Sequence, residues 1–326
     1  MSIAKKLFRW TWLGGVAPWL MVLGAHGQTW PTRPVSLIVP YTAGGASDVG
    51  ARMLAAELGK SLGQPVVIDN VAGAGGAIGV QKLMRAVPDG HTLIYGGLSE
   101  SMLVPMINKT VNYRPEDLLP VALVGSVPVV LATRADFPAR NVDELLDLLR
   151  KRPGQYSYGS AGIGSFGHVM TEAIKDRTGA FVVHIPYRGS SQILSDLVSG
   201  QIDVAVTTVT SAVPMLAAGR LKILGVSSRE RVPMIKDVPT FSATASLKGL
   251  EMNVWAVLFA PPGTPDAVVQ KLNGLVGHVL TQPTMKAMTI KLGAEVPPVL
   301  GPGQTREFLA AQRKLYEHAI GRIQAE

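Results

Sequence analysis

Short apolar segments alternate with amphipathic helical segments along this chain, and glycine-rich turns join several of them. Residues 35–39 (VSLIV) and 65–69 (PVVID) have the composition of buried strands, and each is followed by a glycine-rich turn and then by a helical pattern. Regular alternation of this kind predicts an α/β fold in which helices cover largely parallel sheets. In such folds, ligands bind at the carboxyl ends of the strands, where turns lead into helices.

The alternation continues to the C-terminus. Further strands are predicted at residues 92–95, 121–124, 129–132, 156–158, 182–185, 204–207, 221–226 and 254–259, and the clearest later helices at 142–150, about 265–280 and about 305–324. No short unit repeats along the chain, which excludes solenoids and propellers. With 326 residues and 47% hydrophobic composition, the chain has enough material for two α/β domains.

The N-terminus has the three parts of an export signal. Three basic residues and no acid precede an apolar stretch at residues 10–24, and small residues then follow in the pattern that signal peptidase accepts. We therefore expect residues 1–27 to be a signal peptide, cleaved before about Gln28, and the mature protein to reside in the periplasm. An uncleaved membrane anchor is the alternative, but the apolar stretch is shorter than the roughly 20 residues that a span requires.

Composition excludes several kinds of chemistry. The chain contains no cysteine, so disulfides, thiolate metal sites and cysteine nucleophiles are excluded. The six histidines show no metal-binding spacing, and we expect neither a metal nor a cofactor. The formal net charge of +8 includes three charges near the N-terminus, and the other basic residues are scattered. We therefore expect no nucleic-acid partner and a weak attraction for anionic solutes.

Short motifs in a fixed order run through nearly the whole mature chain. They are WPTRP (30–34), VPY (39–41), AGGASD (43–48), GQPVV (63–67), AGAGG (72–76), PDGHTL (88–93), YGSAGIGS (158–165), HIPYRG (184–189), GQID (200–203), VPT (238–240) and APPGTP (260–265). Taken in series, these motifs resemble the Bug family, the periplasmic receptors of tripartite tricarboxylate transport systems.

The resemblance implies a two-domain Venus-flytrap fold of the type II periplasmic-binding-protein kind, with a hinge and a cleft between the domains. The crossings are expected near Gly125 and Val226, so that domain 1 comprises residues 28–125 and 226–326 and domain 2 comprises residues 126–225. The resemblance also implies a monomer that captures a small di- or tricarboxylate or an aromatic acid and presents it to membrane permease subunits. A ligand sensor for a membrane kinase is an alternative role.

One departure from the family pattern concerns the ligand. Receptors of this family commonly carry an acidic residue after the strand that follows the GQID segment, whereas this chain has Thr207 and Thr208 there. If that acid pairs with an ammonium group in amino-acid-binding members, its absence favours a carboxylate that is not an amino acid.

Three glycine-rich turns precede helices, at residues 41–47, 73–76 and 159–165. Backbone amides at a helix N-terminus and the helix dipole favour a bound carboxylate, although ordinary helix capping is the alternative for any single turn. We expect the first two turns to form the domain 1 wall of a binding site and the third to form part of the domain 2 wall. The candidate ligand-binding residues are Tyr41, Thr42, Ala43, Ser47, Gly75, Gly76, Ser99, Ser160, Gly162, Gly164, Ser165, His168, Thr207 and Thr208.

Two enzyme hypotheses attach to the third turn. Residues 162–167 match G-x-G-x-x-G, but Pro186 and its neighbours stand where a dinucleotide site expects a ribose-binding acid. His168 lies one helical turn after Ser165, so a secreted hydrolase that uses this pair is the main enzyme alternative. No carboxylate that would orient the histidine is evident. We therefore expect a binding protein and not an enzyme.

Overall fold

A nine-stranded sheet forms the centre of the computed structural model, which describes residues 30–323. The strands are β1 (Val35–Val39), β2 (Val66–Asn70), β3 (Thr92–Gly97), β4 (Leu119–Arg134), β5 (Ser157–Ser160), β6 (Val183–Pro186), β7 (Val204–Thr208), β8 (Leu221–Val226) and β9 (Asn253–Ala260). Their order is β2-β1-β3-β9-β4-β7-β5-β6, and β8 pairs with β4. The predicted signal peptide, residues 1–27, and its cleavage before Gln28 lie outside the described residues.

Helices alternate with these strands, which confirms the predicted α/β class. They are α1 (Ala46–Leu62), α2 (Ala77–Met84), α3 (Val104–Ile107), α4 (Val142–Lys151), α5 (Phe166–Thr178), α6 (Ser190–Ser199), α7 (Val209–Ala217), α8 (Asp266–Thr281), α9 (Pro283–Lys291) and α10 (Pro302–Ile323). Within residues 30–323, every helix falls short of the length and apolar character that a membrane span requires.

The sheet has two parts that share strand β4. In the first part, β1 pairs in parallel with β2 and β3, and β9 is antiparallel to β3 and to residues 119–128 of β4. In the second part, residues 129–134 of β4 pair with β7 and β8, and β5 and β6 extend this side. We call β1–β3, β9, residues 119–128 and helices α1–α3, α8 and α9 lobe 1. Lobe 2 comprises residues 129–134, β5–β8 and helices α4–α7.

Strand β4 differs from the sequence prediction, which placed two separate strands at residues 121–124 and 129–132. Gly125 and Pro128 suggested a break because glycine and proline weaken a strand interior. In the structure, both residues stay in the ladder opposite β9, and β4 changes partners immediately after Pro128. A single 16-residue strand therefore runs from lobe 1 into lobe 2.

Helix α1 shows how local sequence positions the site. Ala51, Leu54 and Leu58 repeat at helical spacing, and their side chains are buried in the same core as β1. The helix ends at Gly63, whose left-handed φ of 67° is a conformation that glycine adopts at little cost. Asp48 accepts hydrogen bonds from the Gly44 amide and from Arg52. These contacts support the helix start, which is the structural role expected for a first-turn acid.

Two helical elements have no clear counterpart in the sequence prediction. Helix α9 buries only Met285, so its sequence carries no apolar stripe by which to recognise it. Residues 99–103 form one turn of π-helix directly after β3, and all five side chains are buried. Such turns occur often at functional sites and have no periodicity that a sequence pattern could indicate.

Candidate functional site

A cavity of about 80 Å³ lies between the two lobes. Four helices begin at this cavity: α1 after Gly45, α5 at Phe166, α6 at Ser190 and α7 after Thr208. The starts of α1, α5 and α6 have no side-chain cap, whereas Thr208 accepts a hydrogen bond from the backbone of Ser211. The positive ends of helix dipoles from both lobes therefore converge on one space, which favours an anion there.

Two residues that line the cavity each carry a buried polar side-chain atom that has no partner among the described residues. These atoms are Thr207 Oγ1 and Trp255 Nε1, and both are buried. Trp255 is only 1% exposed. Buried polar groups in native proteins are almost always hydrogen-bonded, and a lone buried donor costs about 1–3 kcal/mol. Both groups are therefore suited to bind the oxygen atoms of a ligand.

The lobes touch directly around the cavity. The Phe166 amide donates to Ser99 Oγ at 2.9 Å, and Thr42 Oγ1 lies 3.0 Å from Ser191 Oγ. Gly162, at a φ of 113°, approaches the other lobe so closely that a Cβ there would lie 3.1 Å from the Gly75 amide nitrogen. Glycine is required at this position by both the backbone angle and the contact. The structure therefore has a closed arrangement of the lobes.

Glu100 is a buried acid beside the cavity that the sequence analysis did not select. Its carboxylate accepts hydrogen bonds from Tyr41 Oη at 2.6 Å and from the Gly97 amide. Burial raises the pKa of the Glu100 carboxyl, and the hydrogen bonds from Tyr41 and Gly97 oppose that effect. Burial, and then the charge of Glu100, hold the pKa of Tyr41 well above its ordinary value. The available sequence signal was an acid in an otherwise apolar segment directly after a strand.

The candidate residues from the sequence occupy three kinds of position. Those that line the cavity are Tyr41, Ser47, Thr207 and Thr208. Those that contact the opposite lobe near it are Thr42, Gly75, Ser99, Gly162 and Gly164. The remaining candidates lie away from the cavity lining. Gly76 packs against Glu100, and Ala43 is exposed. Ser160, Ser165 and His168 form hydrogen bonds within lobe 2.

The lining residues absent from the sequence prediction come mainly from β3, β9 and the start of α6. They are Tyr95, Gly97, Val127, Phe166, Ser190, Val254, Trp255 and Ala256, whereas the lining residues Gly45, Ala46 and Ala161 belong to the predicted turns 41–47 and 159–165. Ser190 immediately follows the HIPYRG motif, so the glycine before a helix start was an available signal. For Trp255, in the middle of a strand, the available signal was its aromatic side chain in a chain with few aromatic residues.

The Ser165–His168 pair of the hydrolase hypothesis does not form. Ser165 Oγ donates to the Gly162 carbonyl at 2.7 Å, and His168 Nδ1 accepts from the Gly164 amide at 3.4 Å. A serine nucleophile needs its hydroxyl hydrogen-bonded to the histidine that takes its proton. The geometry therefore does not favour the hydrolase alternative. The dinucleotide alternative lacks its ribose-binding acid, because β6 ends at Pro186.

A polar cluster behind the α5 start joins β5, β6 and α5. His184 Nε2 lies 2.6 Å from Ser160 Oγ, and the His184 ring stacks on Tyr158 with centroids 4.8 Å apart. The His168 ring is close as well, 4.7 Å from that of His184. Burial, and then the proximity of His168, lower the pKa of His184 to about 4. Burial likewise lowers the pKa of His168.

Acid should destabilise the protein through this cluster. The pKa of His184 is about 4 in the folded state and near its ordinary 6.5 when unfolded, so the unfolded state binds the proton first. The neutral form of His184 therefore contributes fully to the unfolding free energy above pH 6.5, and this contribution is lost as the pH falls toward 4. We expect a loss of roughly 1–2 kcal/mol, discounted for partial solvent exposure. Urea unfolding at several pH values measures it.

A matched pair of variants tests the assignment to His184. His184→Gln should reduce the acid-dependent loss of unfolding free energy, whereas His278→Gln, at an exposed position on α8, should leave it unchanged. Equal pH dependence in the two variants would show that His184 does not carry this effect.

The sheet is divided between two lobes, and helices from both lobes begin at the cavity between them. These two features define a two-domain periplasmic-binding-protein fold. A family model described as the tripartite tricarboxylate transporter family receptor matches residues 50–323. The chain therefore belongs to this family, as the sequence motifs predicted. Its members are periplasmic solute-binding receptors, so the prediction of a receptor and not an enzyme is confirmed.

Individual relatives agree with this assignment. The protein BugT of Bordetella pertussis is 34% identical over 285 residues, which cover 87% of this chain and 87% of that protein. MatC from Rhodopseudomonas palustris, solved with bound malate, is similar with a TM-score of 0.86 and 33% identity, over 89% of this chain and 100% of that one. Another R. palustris protein, solved with adipate, has a TM-score of 0.85 and 33% identity, over 89% and 97%.

Proposed function

We propose that this protein captures a small carboxylate in the cavity between its lobes and delivers it to membrane permease subunits of a tripartite transporter. The observation that carries the proposal is the convergence of four helix starts on a cavity lined by Thr207 and Trp255, each of which has a buried polar atom without a partner among the described residues. Hydrogen-bond donors and dipole ends that point at one space stabilise negative charge there. The candidate residues Tyr41, Ser47 and Thr208 line the same cavity, where the Tyr41 hydroxyl donates to Glu100 and the Thr208 hydroxyl caps α7.

The lining residues also limit the class of ligand. The residues that line the cavity in the described part of the chain include no aspartate, glutamate, lysine or arginine. An ammonium group would find no counter-charge, which supports a carboxylate that is not an amino acid. A volume of 80 Å³ lies below the roughly 300–1,000 Å³ that is typical of small-molecule sites, which favours a short organic acid over a large one. Two similar proteins were solved with malate and with adipate.

We further propose that binding works by closure of the lobes about β4 in a monomer. The interlobe contacts of Ser99 and Thr42 form only when the lobes approach, so a ligand that bridges both walls favours this form. Strand β4 changes pairing partners after Pro128, which supports a first crossing between the domains three residues beyond the predicted Gly125. The second crossing lies in the segment between Val226 and Asn253. The permease would then distinguish the closed receptor from the open one.

Thermal unfolding with a panel of acids tests the proposal. Malate, adipate, citrate and benzoate represent the di- and tricarboxylates and the aromatic acids. A true ligand at about 100 times its Kd contributes about 2.7 kcal/mol, which raises the Tm by roughly 5–10 °C for a chain of this size.

Aspartate is the matched control for malate, because the two differ only in an ammonium in place of a hydroxyl, and we expect the smaller shift from aspartate. The absence of a shift with every carboxylate, or consumption of the acid that causes one, would contradict the receptor function.

A further inference from the structure

A second cavity, of about 400 Å³, lies on the opposite side of the π-helical turn from the cleft, against α10. Its floor is apolar and includes Met102, Leu118, Phe259 and Leu309. The volume lies in the range of roughly 300–1,000 Å³ that is typical of small-molecule sites. None of the described residues that line this cavity also lines the cavity between the lobes, so the two spaces are separate.

The rim of this second cavity carries an excess of positive charge. Arg313 forms ion pairs with both acids of the rim, Glu116 and Glu317. Arg306 and Lys314, which also line the cavity, have no ion-pair partner among the side chains that the structure describes. The rim therefore carries three cations against two acids, a net charge of +1, and Arg306 and Lys314 are paired with neither acid at the mouth of an apolar space. This combination of charge and apolar surface suits a molecule with an anionic head and an apolar body.

A buried polar atom of a residue that lines the cavity is also without a partner among the described residues. Ser101 lines the cavity, its side chain is 3% exposed, and its Oγ makes no hydrogen bond to any described residue. The π-helical turn positions this hydroxyl, because Ser99 and Glu100 of the same turn are held by Phe166 and Tyr41 on the cleft side. A polar group that is buried in this way is normally satisfied by a ligand or by ordered water.

We propose that this cavity is a second binding site, for an amphipathic organic acid. The aliphatic or aromatic body lies on the floor formed by Met102, Leu118, Phe259 and Leu309. The carboxylate lies at the rim, between Arg306 and Lys314. This site is independent of the carboxylate site between the lobes.

Octanoate is the probe for the test, because it has one carboxylate and an unbranched apolar body. Isothermal titration of the mature chain should detect its binding. Ala310 is an exposed residue of α10 at the cavity, and Ala310→Phe should fill the space and weaken octanoate binding at least tenfold. The matched control is Ala311→Phe, because Ala311 is also exposed on α10 but does not line the cavity. It should bind octanoate like the parent chain.

Two further variants separate this site from the cleft and test the role of charge. Gly45→Val obstructs the cleft and should leave octanoate binding intact. Arg306→Gln combined with Lys314→Gln should weaken binding about threefold to tenfold and reduce its salt dependence, whereas Lys286→Gln on exposed α9 should not.

Three results would overturn the proposal: no binding of octanoate to the parent chain, equal binding by the Ala310→Phe and Ala311→Phe variants, or loss of binding in Gly45→Val. An unchanged affinity in the Arg306 and Lys314 double variant would overturn the assignment of the carboxylate to the rim. Each variant's Tm, measured in parallel, identifies any loss of folding. Carboxylate binding in the cleft is measured separately, so failure here leaves the transport receptor function untouched.

Discussion

Gly45→Val is expected to lower the affinity for the cleft carboxylate by about 10- to 100-fold, because overpacking of a closed site costs about 1–3 kcal/mol. A Cβ at Gly45 would lie 2.7 Å from Ser190 Oγ, which belongs to the other lobe. Gly45 has φ −82° and ψ 172°, which any residue adopts, so lobe 1 itself should tolerate the change. Titration calorimetry with the acid that gives the largest thermal shift measures the effect.

A double-mutant cycle isolates the contact between the lobes. Gly45→Ala alone should weaken binding, and Ser190→Ala should relieve the clash, because the atom that the new Cβ meets is the serine oxygen. The double variant should therefore bind like Ser190→Ala alone. Purely additive losses would mean that Gly45 and Ser190 do not meet when the ligand is bound, which would contradict the closed arrangement.

Thr207→Val should have opposite effects on stability and on binding. The hydroxyl is buried without a partner, so its replacement by a methyl group of similar size should raise the unfolding free energy of the ligand-free protein. Binding should weaken by about 10- to 100-fold, because a hydrogen bond to a charged group contributes about 1.5–3 kcal/mol. Urea unfolding and calorimetry measure the two effects separately.

Thr133 provides a matched control for this prediction. Its hydroxyl on β4 is also buried without a partner among the described residues, but it does not line the cavity. Thr133→Val should therefore raise stability in the same way and leave ligand affinity unchanged. If Thr207→Val also left affinity unchanged, the Thr207 hydroxyl would not contact the ligand.

Much of the fold could be predicted because its elements depend on local patterns. Strands such as β1 and β8 are apolar runs, and α1 and α4 have apolar residues at helical spacing. The change of partners along β4 could not be predicted, because a strand's partners are set by tertiary contacts and not by its own composition. The same limit applies to the π-helical turn, which has no characteristic spacing.

Some residues of the candidate site could also be predicted from the sequence, and others could not. Tyr41, Ser47 and Thr208 lie at strand-to-helix junctions that glycine or hydroxyl residues mark in the sequence. Trp255 carries no such mark, since its place at the cavity depends on how β9 pairs with β3 and β4. For His168, the sequence suggested a contact that the structure lacks. Its spacing from Ser165 suggested a hydrogen-bonded pair, but His168 Nδ1 accepts a hydrogen bond from the Gly164 amide in the preceding turn. Sequence spacing indicates which side chains are near each other, and not which atoms are already bonded.

A crystal structure with the acid that stabilises the protein most would test the central claim directly. We expect its carboxylate oxygens to lie about 2.7–3.2 Å from backbone amides at the first turns of α1 and α5–α7, and close to Thr207 Oγ1 or Trp255 Nε1. An acid held instead by lysine or arginine side chains on an outer face, with no contact to these helix starts, would contradict the account.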